Sequence, residues 1–169
     1  MTLTIELVPH LDAGDRTKWQ GDQDLRPLSE LGRRQAQSLA EGLSTLPVDA
    51  LYSSPALRCQ ETLYPLVERF GLSLHILPGL SEKQPTENQE QFAERGRAVL
   101  QEIIDSSPPG RILACSHGDL IPETIDFLVA TDRLPAPERL RVRGEWYTIR
   151  LSEGAVAVHL NRAPSGFPR

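Results

Sequence analysis

Residues 3–10 read LTIELVPH, an apolar run from Leu3 to Val8 that is closed by Pro9. A short apolar run bounded in this way is typical of a strand in the core of a sheet. Pro9 ends the run because proline has no N–H to donate to a neighbouring strand. We therefore predict a first strand over residues 3–8, with His10 just beyond its carboxyl end.

The rest of the chain alternates apolar runs with helical patterns. Further strands are predicted over residues 49–53, 72–77 and 111–115, and a closing hairpin over 146–151 and 155–160. Helices are predicted from the N-cap Ser29 to about Leu46, from Ser54-Pro55 to Gly71, from a Thr86–Gln89 capping box to Pro108, and over 121–129. Strands that alternate with helices predict an α/β fold, a three-layer sandwich with a mainly parallel central sheet flanked by helices.

Size and composition narrow the class of protein. The 169 residues, 39% hydrophobic and 24% charged, predict a single domain over residues 1–160 and a C-terminal tail over 161–169 that frays. The net charge of -5 gives no overall positive field for a polyanion, so we expect neither nucleic acid nor membrane as a partner. Two cysteines, Cys59 and Cys115, are too few for a disulfide framework. The sequence shows no signal-like or membrane-spanning segment either, and together these features favour a cytoplasmic location.

Side chains with catalytic potential follow the predicted strands. His10 follows the first strand, Arg58 lies shortly after the second, Glu82 follows the third and His117 follows the fourth. Parallel strands bring their carboxyl ends to one edge of the sheet, where α/β proteins bind ligands. We therefore expect these four side chains to share one site.

These residue types suit phosphoryl transfer through a phosphohistidine. A neutral imidazole is a nucleophile at neutral pH, and an arginine fork matches phosphate oxygens. A protonated second histidine can donate to a phosphate oxygen, and a carboxylic acid can protonate the leaving oxygen. We expect no metal and no cofactor, because none of these roles needs one and no zinc-ligand spacing occurs.

Four motifs over about residues 3–150 resemble the histidine phosphatase superfamily, also called phosphoglycerate mutase-like. They are Pro9-His10-Leu11 after the first strand, Ser53-Ser54-Pro55 with Arg58 and Thr62, Leu80-Ser81-Glu82, and Ser116-His117-Gly118. The resemblance implies a phosphoglycerate mutase-like fold, with His10 as nucleophile, Arg58 as phosphate clamp, His117 as phosphate contact and Glu82 as proton donor. It further implies a metal-independent phosphatase acting on a small phosphorylated substrate or a phosphoprotein.

The loop after His10 resembles a narrower subgroup. Ala13–Arg16, Trp19 and Arg26–Ser29 are similar to small phosphohistidine-phosphatase-type members and to the histidine phosphatase domains fused to Nudix hydrolases. About thirty-five residues separate Glu82 from His117, too few for the large helical insertions of sugar-phosphate mutases and phytases. We therefore expect an open site.

The first motif departs from the family pattern at two positions. Pro9 stands where the family has arginine, and Leu11 replaces a small residue and is expected to add bulk beside the nucleophile. Removing one donor from a preorganised clamp costs about 10²–10³ in rate. Basic residues of the following loop, Arg16, Lys18 or Arg26, could supply the missing charge from another direction. Our candidates for phosphate binding are Arg16, Arg26 and Gly118.

Two hypotheses for function therefore stay open. The chain is either a phosphatase with a rebuilt or weakened clamp, hydrolysing a phosphomonoester, phosphoramidate or nucleotide phosphate, or a catalytically silent relative that binds a phospho-ligand or a protein. The basic stretch Arg139, Arg141 and Arg143 is read either as a solvated connecting segment or as a dock for a phosphorylated partner. The sequence leaves the oligomeric state and the leaving group open.

Overall fold

The computed structural model describes residues 1–169 and builds them around one six-stranded sheet. The strands are β1 (Leu3–Pro9), β2 (Ala50–Ser53), β3 (Leu74–Ile76), β4 (Gly110–Ser116), β5 (Trp146–Ser152) and β6 (Ala155–Asn161). The helices are α1 (Glu30–Leu43), α2 (Leu57–Phe70), α3 (Gln89–Ser106) and α4 (Leu120–Asp132). Single 3-10 turns lie at Gln23–Leu25 and Pro78–Leu80.

The sheet has the order β3-β2-β4-β1-β5-β6. Strands β1 to β4 run parallel to one another, while β5 runs antiparallel to both β1 and β6. The prediction of a mainly parallel sheet is therefore confirmed. The carboxyl ends of β1 to β4 lie at one edge, as the site prediction requires.

Helices cover both faces of the sheet, which confirms the three-layer sandwich. Strand β4 shows why: Ile112 and Ala114 pack in the core beneath α3 and α4, whereas Leu113 and Cys115 pack in the core beneath α1 and α2. A strand buried on both faces reads as a continuous apolar run, because successive side chains point to opposite faces. No helix is long and apolar enough to cross a membrane.

Two predicted helix starts are wrong by a few residues. Helix α2 begins at Leu57 after the N-cap Ala56, and not at Ser54-Pro55, because the Ser54 hydroxyl is directed to the imidazole of His117. Helix α3 has its capping box at Asn88 and Gln91 rather than at Thr86 and Gln89. The Asn88 side chain accepts from the Gln91 N–H at 2.8 Å, and the Gln91 side chain accepts from the Asn88 N–H at 2.9 Å.

Other bounds differ at element ends. Strand β3 has three residues, shorter than predicted, and α4 continues to Asp132. The C-terminal tail does not fray as expected: Phe167 is buried with the α1 and α2 core, and the Gln35 side chain donates to the Pro168 carbonyl at 3.0 Å. The hydrophobic free energy gained by burying the Phe167 ring offsets the conformational entropy lost when the short tail is ordered.

The first turn of α1 presses against the segment that follows His10. A Cβ added to Gly32 would lie 1.9 Å from the Asp12 carbonyl oxygen. The Asp12 carbonyl also accepts from the Ser29 N–H at 2.9 Å, while the Ser29 hydroxyl caps the helix at the Gly32 N–H. The start of α1 thus fixes the position of the backbone at Asp12, just after the predicted nucleophile.

We expect Gly32→Ala to destabilise the protein by about 1–3 kcal/mol, since overpacking against backbone forces a shift. Helix propensity alone would act in the opposite direction, by about 1 kcal/mol. Gly42→Ala in the same helix is the control, because its Cβ would meet only the Pro164 ring, at 3.0 Å. Urea unfolding of both variants checks this, and a stabilised Gly32→Ala would contradict the close contact.

Candidate active site

The structure brings the four predicted site residues together at the carboxyl edge of the sheet. His10 directly follows β1 and His117 directly follows β4, and because these strands are neighbours the two imidazoles lie 5.4 Å apart, at 69°. Arg58 stands in the first turn of α2, and Glu82 follows the 3-10 turn after β3. The nearest Arg58 nitrogen is 3.4 Å from His117 and 3.3 Å from Glu82.

One ring nitrogen of His10 forms a hydrogen bond with the backbone. Its Nδ1 lies 2.8 Å from the Leu11 carbonyl oxygen, and because a carbonyl only accepts, Nδ1 carries the proton. The lone pair is therefore on Nε2. Burial, together with the positive charges of Arg58, Arg143 and Arg26, lowers the pKa of His10 to about 4. The ring is neutral at pH 7 and nucleophilic at Nε2.

His117 has the opposite tautomer. Its Nδ1 lies 3.4 Å from an Arg58 nitrogen, which only donates, so the proton is on Nε2, 2.9 Å from the Ser54 hydroxyl. Burial, with the nearby charges of His10 and several arginines, lowers the pKa of His117 to about 2. The ring is therefore neutral at pH 7, because burial and then the surrounding guanidiniums disfavour a positive charge.

Arg58 is fully buried beneath the two histidines. One of its terminal nitrogens donates to the Gln23 carbonyl at 2.7 Å, and the other faces Glu82 and His117. Its Nε has no acceptor among the protein atoms. An unsatisfied buried donor costs about 1–3 kcal/mol, so the orphaned Nε destabilises the folded state by an amount of this order.

Glu82 lies between two guanidiniums. Its Oε1 is 3.3 Å from Arg58 and 3.5 Å from Arg16, which leaves Oε2 for other partners. The backbone around Glu82 is held by Arg95 of α3, which donates to the carbonyls of Gly79, Ser81 and Glu82. Arg95 also donates twice to the Glu87 carboxylate, so all five of its N–H groups are engaged.

The sequence pattern did not identify Arg95 as a residue that supports the site. Nothing in the pattern of α3 separates it from other charged residues on a helix face, because its partners are carbonyls of a distant loop.

The three candidate phosphate-binding residues have different environments. Arg26 is buried and donates to the Ala13 carbonyl at 2.7 Å and to the Gln23 side chain at 3.0 Å, so it braces the loop. Arg16 is exposed apart from its contact with Glu82. Gly118 has open space where a side chain would be, and it lines a cavity with His10.

Leu11 does not crowd the nucleophile as expected. Its side chain is buried in the core beneath α1 and α2, and its N–H donates to the Thr62 hydroxyl at 3.2 Å. Thr62 in turn donates to the Arg58 carbonyl at 2.8 Å. Leu11 thus anchors the segment after β1 to α2, through its buried side chain and its backbone N–H.

Arg143 is a further site residue that the sequence indicated only as part of a basic stretch. Its Nη1 donates to the His10 carbonyl at 3.2 Å, and its Nε lies 3.6 Å from the Asp12 carboxylate. It lines a cavity of about 230 Å³ together with Pro9, His10 and Gly118. A larger cavity of about 550 Å³ lies on the far part of the sheet, along β6, and contains none of these residues.

No group of three or more His, Cys, Asp or Glu side chains is placed to hold a metal ion. The arrangement instead presents a neutral imidazole nitrogen, a buried guanidinium and a carboxyl group within one small region. These groups can attack, clamp and protonate a phosphorylated compound.

Comparison with known proteins gives a family match over part of the chain and one relative that spans most of it. The family model of the histidine phosphatase superfamily (branch 1) matches residues 11–85, a range that includes Arg58 and Glu82. An 8-oxo-(d)GTP phosphatase of Mycolicibacterium smegmatis is 28% identical over 154 residues, which are 90% of this chain and 46% of that protein. The chain thus spans about half the length of this relative.

Solved structures share the fold at low identity. Phosphoglycerate mutase from Bacillus anthracis superposes with a TM-score of 0.77 at 19% identity, covering 93% of this chain and 91% of that one. A mycobacterial glucosyl-3-phosphoglycerate phosphatase gives 0.66 at 20% identity, covering 98% of this chain and all of the other, 100%. The expected phosphoglycerate mutase-like fold is confirmed, while the narrower subgroup stays a prediction.

We expect the two site histidines to make the protein less stable as the pH falls from 6.5 to 5. Both pKa values are lowered in the folded state, to about 4 and about 2, so in this range the unfolded chain binds protons that the folded chain does not. Each histidine contributes a slope of up to about 1.4 kcal/mol per pH unit.

The measurement is urea unfolding of the wild type, His10→Gln and His117→Gln at several pH values in this range. Each glutamine variant should show a shallower pH dependence than the wild type. Equal slopes in all three proteins would mean that the imidazoles are not held neutral by their surroundings.

Proposed function

We propose that the chain is a member of the histidine phosphatase superfamily and a phosphatase acting through a phosphohistidine on His10; the family match over residues 11–85 and the phosphoglycerate mutase-like fold support this proposal. The substrate is a phosphomonoester, a phosphoramidate or a nucleotide phosphate. One observation carries the proposal: a neutral His10, bonded through Nδ1 to a carbonyl, stands beside the buried Arg58.

In the first step, the Nε2 lone pair attacks phosphorus and forms the N–P bond. The bond between phosphorus and the leaving oxygen breaks with its electron pair on oxygen, which takes a proton from the Glu82 carboxyl group. The hydrogen bond from Nδ1 to the Leu11 carbonyl, 2.8 Å long, stabilises the positive charge that the ring acquires.

In the second step, a water molecule hydrolyses the phosphohistidine. The Glu82 carboxylate takes a proton from the water as its oxygen attacks phosphorus, and the N–P bond breaks with its electrons returning to His10. The step releases inorganic phosphate and restores a neutral imidazole and a protonated carboxyl group. No metal ion or cofactor takes part in either step.

Arg58 and His117 bind the phosphoryl group in this mechanism. An incoming phosphate competes with Glu82 for the Arg58 guanidinium, and its negative charge favours the protonated form of His117. The Glu82 carboxyl group then donates to the leaving oxygen, and the imidazole becomes a donor to the phosphoryl oxygens. The ion pair of Arg58 and Glu82, with 3.3 Å between the charged atoms, is thus the resting form of the site.

Pro9 supports a second candidate function, in which the chain binds a phospho-ligand or a phosphoprotein without turnover. An uncharged residue at this position removes a donor worth about 10²–10³ in rate from the family's clamp. Binding needs fewer transition-state contacts than catalysis, so the same site could retain affinity. The two candidates differ in whether phosphate is released.

We expect the wild type to release phosphate in a screen of p-nitrophenyl phosphate, phosphoramidate, phosphohistidine peptide and nucleoside triphosphates. The last are included because the relative from Mycolicibacterium smegmatis is an 8-oxo-(d)GTP phosphatase. His10→Ala should lose roughly 10³-fold or more, since the nucleophile is gone. His159→Ala is the control, because the His159 side chain is exposed on β6, away from the site.

Rapid acid-free quenching should trap a phosphoenzyme on the wild type that is stable to base and labile to acid. Turnover that persists in His10→Ala would reject the mechanism. Phosphate binding by the wild type with no release from any substrate would instead favour the binding function.

We expect Glu82→Gln to slow the hydrolysis of alkyl phosphates by about 10²–10⁴-fold and the hydrolysis of p-nitrophenyl phosphate much less. An alkoxide leaves poorly without a proton, whereas nitrophenolate leaves without help. The amide oxygen can still accept from Arg58, so the fold of the loop is retained. Glu90→Gln, exposed at the start of α3, is the matched control, and equal losses on both substrates would argue against Glu82 as the proton donor.

A further inference from the structure

The cavity beside His10 is lined by the uncharged Pro9 and by two arginines, Arg141 and Arg143, of which Arg143 is hydrogen-bonded to the His10 carbonyl. Pro9, His10, Gly118 and Arg143 all line this space of about 230 Å³. Position 9 and Arg143 therefore border the same small cavity, although they are far apart in sequence.

Arg143 reaches His10 from the segment between α4 and β5. Its Nη1 donates to the His10 carbonyl at 3.2 Å, and its Nε is 3.6 Å from Asp12 Oδ1. Asp12 is well satisfied without Arg143, because its other carboxylate oxygen accepts from the Ser29 hydroxyl and from the Gly14 N–H. Arg143 is thus a long, half-exposed side chain next to His10, and its two contacts there, at 3.2 Å and 3.6 Å, are both long.

The arginines of the loop after His10 are less able to fill this role. Arg26 is buried and donates to the Ala13 carbonyl, the Gly14 carbonyl and the Gln23 side chain, so moving it would open the loop. Arg16 lies against Glu82, on the side of the proposed proton donor. These contacts separate both residues from the cavity next to Pro9, which neither of them lines.

We propose that Arg143 takes the place of the arginine missing at position 9, binding the phosphoryl oxygens of the substrate in the cavity that it shares with His10 and Gly118. This proposal rests on the proposed function, and it adds a phosphate-binding residue from outside the four family motifs. An arginine fork suits this role because it offers paired N–H donors to tetrahedral oxygens.

Charge and chemistry at the site agree with this assignment. The charge of Arg143 is among the causes that lower the pKa of His10, so the guanidinium acts on the imidazole electrostatically as well as through the carbonyl. Removing it should raise the pKa of His10 and move the acidic limb of the kcat/KM profile to higher pH. A residue that only supports the loop would leave this limb unchanged.

The experiment compares the wild type with Arg143→Ala, Arg139→Ala, Pro9→Arg and the double variant Pro9→Arg/Arg143→Ala. Arg139 is the matched control, because it belongs to the same basic stretch but pairs with Asp126 at 2.9 Å and does not line the cavity. Measured quantities are kcat/KM for p-nitrophenyl phosphate over pH, the dissociation constants of inorganic phosphate and orthovanadate by calorimetry, and thermal unfolding.

We expect Arg143→Ala to lose roughly 10²-fold in kcat/KM, with weaker phosphate and vanadate binding and unfolding close to that of the wild type. Arg139→Ala should match the wild type in both respects. Pro9→Arg should restore most of the loss in the double variant while adding little to the wild type, since two residues serving one function are not additive.

Equal phosphate affinity and kcat/KM in Arg143→Ala and Arg139→Ala would overturn the proposal, and so would a Pro9→Arg gain that is the same with and without Arg143. Failure of the phosphatase function is a separate result. If the wild type releases no phosphate, the calorimetric arm decides: binding lost in Arg143→Ala supports Arg143 as a phosphate ligand, and unchanged binding rejects it.

Discussion

The parallel pairing of β1 with β4 is the constraint on which the site depends. Its register places Pro9 opposite Ser116, and the His10 N–H donates to the Ser116 carbonyl at 3.0 Å. Because the chains leave the sheet together at this point, the next residues, His10 and His117, face each other across 5.4 Å. A slip of one residue would turn one imidazole to the other side of the sheet.

Around this pair, arginines are used in two ways. Arg95 and Arg26 hold loops by donating to backbone carbonyls, while Arg58 and Arg143 stand next to the imidazoles. Burial lowers the pKa of both imidazoles, and the charge of Arg58 on both rings and of Arg143 on His10 adds to this, so both rings are neutral in a protein whose net charge is -5. Net charge therefore describes the surface that a ligand meets first, and the local cluster determines what the site can bind.

Much of this arrangement could be predicted from the sequence. The apolar runs, the caps at Ser29 and Gly71 and the alternation of elements are local signals, and they indicated the parallel sheet and the edge at which His10, Arg58, Glu82 and His117 meet. A helix start is not specified by the local sequence where a serine has two possible partners, as Ser54 does with the backbone and His117.

The sequence by itself determined the fold class and the four residues at the strand ends, because periodicity and topology together specify where each strand ends. Only the tertiary structure decided that Leu11 packs into the core, that Phe167 orders the tail, that Arg95 supports the Glu82 loop and that Arg143 approaches His10. Each of these depends on contacts between segments far apart in the chain. Such contacts are set by the packing of whole elements, and no local pattern in the sequence records them.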